Sequence, residues 1–165
     1  MNDRRTLADR IRREQRLWRD LVGEVGRARM NEPGPMGTWT FKDLVSHLAA
    51  WRNRTLARLE AAASGQAEPP APWPAPLQDD DSINAWIRER DLGRSLDDVL
   101  ADYDRSFDRL AAVVAALPDE ALVAPGRFTW MGDVPLVDAP LFGHLHDEHE
   151  PAIRAWLSSR AVKTG

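Results

Sequence analysis

Apolar residues recur at helical spacing in four long stretches, and segments rich in proline and glycine separate most of them. From about Thr6 to Arg27, Leu7, Ile11, Trp18, Leu21, Val22 and Val25 step by three, four and seven, the stripe of an amphipathic helix. Its other faces carry Arg10, Arg12, Arg13, Arg16 and Arg19 among Asp9, Glu14 and Asp20, a solvated surface with local ion pairs. Asn31, Pro33, Gly34, Pro35 and Gly37 stop that helix. Thr40 then offers a capping hydroxyl, with Asp43 three residues on, and Phe41, Leu44, Val45, Leu48, Trp51, Leu56 and Leu59 carry a second helix to about Ala63. His47 lies between Leu44 and Trp51 and borders this apolar face.

Five prolines between Ser64 and Pro76 predict a long crossover loop, pinned to the body by Trp73. Asp79, Asp80 and Asp81 suit the N-terminus of a short helix over Ile83 to Arg90. Ser95 and Asp98 open a third long helix, on which Leu96, Val99, Leu100, Tyr103, Phe107, Leu110, Val114 and Leu117 form the clearest core stripe. Pro118 closes it. Asp119 to Asp138 reads as a folded loop anchored by Phe128, Trp130 and Met131, and a last helix is predicted from near Asp138, Ala139 and Pro140 to about Ser158. These elements predict an all-α protein: a four-helix bundle in a single domain over 1–165, with a long crossover loop carrying a short extra helix.

Composition narrows the chemistry. With 22 Lys plus Arg against 26 Asp plus Glu, nothing marks the chain as a nucleic-acid binder. No apolar run approaches a membrane span or the core of a signal peptide, so a cytoplasmic protein with no membrane partner is expected. The absence of cysteine removes disulfides, thiolate metal sites and a protein thiol nucleophile together, so any thiol chemistry imports its sulfur. Seven tryptophans suggest wide helix interfaces or an aromatic-walled pocket.

Three of the four histidines fall in the last predicted helix. At roughly 100° per residue, Phe142, His146, His149, Ile153 and Trp156 share one sector, whereas His144 projects to the opposite side and is expected in solvent. Two imidazoles three or four residues apart on one face can present nitrogens to one divalent cation, with His47 as a third ligand and positions left open. Glu150, four residues after His146, is the other candidate ligand, and Asp147 and Glu148 point more outward. The structural alternative is that His146 and His149 pack, hydrogen-bonded, beside the aromatic residues. Tyr103 is expected as a packed residue with one satisfied hydroxyl, or as a pocket-lining, proton-handling group.

The stretch GTWTFKDLVSHLAAW, Gly37 to Trp51, resembles the second-helix signature of the DinB-like (DinB/YfiT) four-helix bundle superfamily. INAW (Ile83 to Trp86), FTWMG (Phe128 to Gly132) and HLHDEHEPAIRAWL (His144 to Leu157) look more like its DfsB branch. The resemblance implies a DinB-like bundle and a divalent metal, nickel or zinc first and manganese or iron next, held by one histidine of the second helix and an HxxxH pair of the last. His47 matches the first. The pair departs from the pattern, because His149 has Leu145 four residues before it and His146 has Glu150 four residues after it. The last-helix ligands are then His146 and His149, which periodicity favours, or His146 and Glu150 with His149 beside them.

Metal-bearing relatives of this kind include transferases and isomerases that use low-molecular-weight thiols such as mycothiol or bacillithiol. The DfsB branch includes a self-protection protein acting on a genotoxic natural product, and some of its members work without the metal triad. The resemblance therefore implies a small-molecule substrate, an external thiol, a homodimer by analogy, and a divalent-metal-dependent enzyme acting on an electrophile as a thiol-dependent transferase or a detoxifying hydrolase. In that reading His47, His146 and His149 hold metal, Glu150 and Tyr103 serve catalysis, and Trp51 and Trp130 wall the substrate site. The alternatives are a non-catalytic bundle that binds a small molecule or dimerises, and a metal-free hydrolase relying on Tyr103, Glu150 and a histidine.

Overall fold

Three helices begin where a side chain satisfies amides that the helix leaves free. In the computed structural model, which describes residues 3–161, Thr40 Oγ1 accepts from the Asp43 amide at 3.1 Å and Asp43 Oδ2 accepts from the Thr40 amide at 3.0 Å. This reciprocal box starts α2 (Phe41–Ala63). Asp79 caps α3 (Asp80–Asp91) through the Ser82 amide, and Ser95 caps α4 (Leu96–Ala116) through the Asp98 amide. Such caps contribute about 1 kcal/mol each, but their larger effect is to fix where each apolar stripe enters the core.

Those stripes meet. Leu7, Ile11, Trp18, Leu21 and Val25 of α1 (Asp3–Val25) are buried against Val99, Tyr103, Phe107, Leu110 and Val114 of α4. Phe41, Leu44, Val45, Leu48, Leu56 and Leu59 of α2 close the same core, with Leu145, Ile153 and Trp156 from the C-terminal helical segment. The result is the expected all-α, DinB-like bundle of α1, α2, α4 and α6 (Glu150–Ala161). Among the described residues no helix is long and apolar enough to cross a membrane.

Two connections carry structure of their own. Between α1 and α2 lies a small antiparallel hairpin, β1 (Pro33–Met36) with β2 (Trp39–Thr40), where the sequence suggested only a break. Gly34, at φ +144°, makes it possible: a Cβ there would stand 2.3 Å from the Trp156 indole. The crossover after α2 is tied down at its start, where Arg54 donates to Glu68 Oε1 at 2.8 Å and to the Pro69 carbonyl at 2.6 Å, and Arg58 reaches the same carboxylate. Trp73 does pin it further along, stacking at a tilt on Trp51 with 4.9 Å between ring centres. The 119–138 loop contains the short α5 (Asp119–Val123) and two single 3-10 turns, Thr129–Met131 and Leu136–Asp138.

The last helix differs from expectation in its first half. It does not run as one α-helix from residue 138: residues 144–149 are a π-helix, in which the Glu150 amide bonds to the Leu145 carbonyl five residues back, and α-helix begins only at Glu150. Pro151 stands just beyond this junction. A proline has no amide to give and crowds the carbonyl four residues before it, and a widened turn upstream relieves that crowding.

Candidate metal centre

The π-turn decides which histidines meet. In an α-helix residues five apart point about 140° away from each other, but a repeat closed by five-residue hydrogen bonds stacks them. His144 and His149 therefore face the same way, toward His47 on α2. His47 Nε2 lies 2.8 Å from His144 Nε2 and 3.2 Å from His149 Nε2, and one nitrogen from each ring falls within 4.8 Å of the others. His144, expected in solvent, thus occupies the place expected of His146. His47 and His149 stand where the sequence reading put them, on facing elements.

His146 is turned the other way, to α1. Its Nε2 lies 2.5 Å from Glu14 Oε2 and its Nδ1 2.6 Å from Glu150 Oε2, so both ring nitrogens are engaged. Burial alone would lower the His146 pKa, but the hydrogen bonds to Glu150 and Glu14 raise it, so the two carboxylates favour the protonated ring. Glu150 is no spare ligand here. Its Oε2 meets His146 and its Oε1 accepts from Arg154 at 2.9 Å. Although its own burial opposes this, the His146 and Arg154 partners hold its carboxyl below the usual range. The structure thus places His146 and Glu150 in a clamp between α1 and α6, outside the histidine cluster.

The cluster has the electrostatics of a ligand set. His47 is 3% exposed, and burial, then the neighbouring His144 and His149, push its pKa down to about 3. Burial does the same to His144, to about 4, and lowers His149. Neutral imidazoles are what a divalent cation needs, since a protonated ring has no lone pair to offer. The geometry fits as well. Three Nε2 atoms aimed at one another cannot all find a hydrogen-bond partner among themselves, whereas nitrogens about 2.1 Å from a shared cation stand roughly 3.0 to 3.4 Å apart. The donor set, three nitrogens with no thiolate and no tightly bound carboxylate, suits zinc, nickel or iron better than calcium or magnesium. His47 Nδ1 is buried with no partner, and the ring packs edge-on against Trp39, 5.9 Å away between ring centres.

Two cavities flank the cluster and share Trp51 and His144 as a partition. One, of about 410 Å³, is polar: the three histidines line it together with Asp80, Asp81, Asn84 and Glu148. Glu148 Oε2 stands 3.8 Å from His144 Nε2 and is well exposed, a carboxylate that sequence reasoning directed outward. The other, of about 400 Å³, is mostly apolar, walled by Trp51, Trp130, Met131 and Leu141 with Tyr103 and Arg52 at its base. Both tryptophans singled out in the sequence thus border it. Trp51 is locked by its indole N–H, which donates to Asn84 Oδ1 at 2.9 Å. Tyr103 is the packed residue with one satisfied hydroxyl: it is 1% exposed, its oxygen accepts from Arg52 Nη2 at 3.2 Å, and burial raises its pKa. A phenol held that way is a poor proton donor or acceptor near neutral pH.

Sequence reasoning missed His144, Arg52 and Asn84. For His144 a signal was present in Pro151, which cannot sit unaided inside one unbroken helix from 138 to 158. For Arg52 none was, because it gains its meaning from a neighbour distant in the chain, while Asn84 lies inside the INAW stretch with no role assigned to it.

No curated protein and no solved structure matches it. The family model of the mycothiol maleylpyruvate isomerase N-terminal domain matches residues 11–147, a span that includes His47 and His144 and stops two residues short of His149. With most of its length matched, and with the three-histidine cluster set in an all-α bundle, the chain belongs to the mycothiol maleylpyruvate isomerase N-terminal domain family, within the DinB-like superfamily.

Proposed function

We propose that this protein is a divalent-metal-dependent enzyme that activates a low-molecular-weight thiol, mycothiol or a close analogue, for attack on an electrophilic small molecule. The observation that carries the reading is the convergence of His47, His144 and His149 on one point at the boundary of a polar and an apolar cavity. The family name supplies the thiol, and a chain without cysteine has no sulfur of its own to use. A cation held there supplies Lewis acidity, which brings the pKa of a bound thiol or water toward neutrality.

The chain's own residues do the rest. His47, His144 and His149 hold the cation and stay neutral to do so. The polar cavity, with Asn84 and the α3 N-terminus, takes the hydrophilic thiol, and Glu148 beside His144 accepts its proton. The apolar cavity takes the electrophile against Trp51 and Trp130 and keeps water from it, so that the two reactants meet at the partition. Whether the group is transferred for good or returned after isomerisation depends on the electrophile.

A second reading is favoured by the same apolar cavity: a metal-free binding bundle of the DfsB type that sequesters a hydrophobic small molecule in a self-protection role. One titration separates them. Cobalt-substituted protein is mixed with mycothiol or N-acetylcysteine, and near-ultraviolet thiolate-to-metal absorption is the expected result. Failure of the protein to retain one equivalent of cobalt, zinc or nickel would sink the metal reading. Metal retention without a thiol signal would confine the function to metal-assisted hydrolysis.

A further inference from the structure

A neutral imidazole carries one proton, so a ring that turns a lone pair to a cation from Nε2 holds its proton on Nδ1. For His47 that second nitrogen is the difficulty. The residue is 3% exposed, its Nε2 points at His144 and His149, and its Nδ1 is buried with no partner at hydrogen-bond distance. A buried N–H without an acceptor costs free energy, and moving the proton to Nε2 would put it where the lone pair is needed. Trp39, packed against the ring, has no acceptor atom to give.

One side chain stands in the right place. His47 and Trp51 are four residues apart on α2 and therefore share a face, one turn apart. Helix α3 packs there, with Ile83 and Ile87 buried against Ala50, and Asn84 Oδ1 accepts from Trp51 Nε1 at 2.9 Å. Asn84, His47 and Trp51 line the polar cavity together. Because an indole N–H only donates, Trp51 settles which way the amide is turned: it is the carbonyl that faces α2. Burial, His144 and His149 push the His47 pKa down, while Asn84 pulls it up, as a carbonyl near a ring N–H does. We propose that Asn84 is the positioning residue of His47: its Oδ1, which already holds the Trp51 indole, also receives the Nδ1 proton and so keeps the Nε2 lone pair turned to His144 and His149. A carbonyl oxygen has two lone pairs, enough for both donors. One side chain thereby joins the wall of the apolar cavity to a candidate ligand. The use of this arrangement rests on the metal reading above, whereas the place of the proton can be read without metal.

The test reads the His47 tautomer first, by long-range proton–nitrogen NMR of isotope-labelled, chelator-treated protein, and zinc affinity second, by competition with a chromogenic chelator. In the parent the proton is expected on Nδ1. Asn84→Leu, similar in size and without an acceptor, moves it to Nε2 in whole or in part and weakens zinc binding about tenfold or more. Asn84→Asp keeps the proton on Nδ1 and shifts its resonance downfield, since a carboxylate is the stronger acceptor. That variant keeps the test decisive if Asn84→Leu does not fold. Trp51→Phe removes the indole bond alone and leaves both the tautomer and the zinc affinity unchanged. An Nε2 proton in the parent, a tautomer untouched by Asn84→Leu, an Nδ1 proton resonance unmoved in Asn84→Asp, or the same loss in Trp51→Phe as in Asn84→Leu would each overturn the role of Asn84. The expected tautomers in a protein that takes up no zinc would uphold that role and sink the metal reading. Tight zinc binding with a tautomer indifferent to Asn84 would do the reverse.

Discussion

His144 and His149 stand five residues apart and turn their rings toward each other, 5.0 Å between centres. No α-helix does this. The relationship exists because residues 144–149 form a π-turn, and it selects His144 over His146 as the companion of His47 and His149.

Metal content of single variants checks that selection directly. Elemental mass spectrometry of purified protein should find close to one equivalent in the parent and in His146→Ala, and a loss of at least about tenfold in His144→Ala and in His47→Ala. Retention in His144→Ala together with loss in His146→Ala would restore the α-helical register that simple periodicity favours.

Acid should weaken the chelator-treated protein. His47 and His144 have folded pKa values pushed down to about 3 and about 4, while in the unfolded chain they titrate near 6.5. Between those limits the unfolded state binds more protons, so stability falls as pH drops from about 6.5 toward 4. His146 has the opposite sign: its raised pKa gives a contribution present below 6.5 and lost as pH rises through the folded value. Melting temperatures from pH 7 to pH 5 should therefore fall, and should fall more steeply in His146→Gln. A profile that is flat, or that rises toward acid, would contradict the burial of the cluster.

Gly34→Ala should destabilise the protein by about 1 to 3 kcal/mol, because the new methyl meets the Trp156 indole where the backbone already holds φ +144°. The hairpin or the indole must move. Denaturant unfolding with tryptophan emission as the probe reads both the loss and the displacement. Gly23→Ala, with open space around the added carbon, is the matched control and should leave stability unchanged or slightly raised.

Arg54→Ala should release the beginning of the crossover. That side chain holds both Glu68 and the Pro69 carbonyl, and Glu68 is exposed enough to be solvated once freed. The expected cost is about 1 to 2 kcal/mol, with faster cleavage by a broad-specificity protease between residues 64 and 72. Unaltered cleavage there would mean that the Trp73 to Trp51 stack alone fixes the loop.

Much of the bundle was legible because its information is local. Thr40 with Asp43, Ser95 with Asp98, and the apolar stripes of α1, α2 and α4 each need only a few residues of the same helix to be recognised. His47 was legible for the same reason, at the edge of a stripe and within a recognisable motif. The histidine cluster was half legible in the last helix: His149 falls in the cluster, as expected, while the choice between His144 and His146 depends on one extra residue per turn. That choice is energetically small along the chain and is made by contacts across it. Pro151 crowds the turn before it, and Glu14 of α1 draws His146 away to the other side.

The sequence by itself determined the first three long helices, the caps of α2, α3 and α4, the long crossover and the absence of any protein thiol, because spacing and residue type state those things within one or two turns. Tertiary structure alone decided which three imidazoles converge, that Glu150 is spent on His146 and Arg154, and that Arg52 lies buried against Tyr103 beside a cavity. Those are relations between α1, α2, α4 and the C-terminal helix. A helical period of 3.6 residues cannot report them, since a local widening to the π form costs little and turns every later side chain to a new direction.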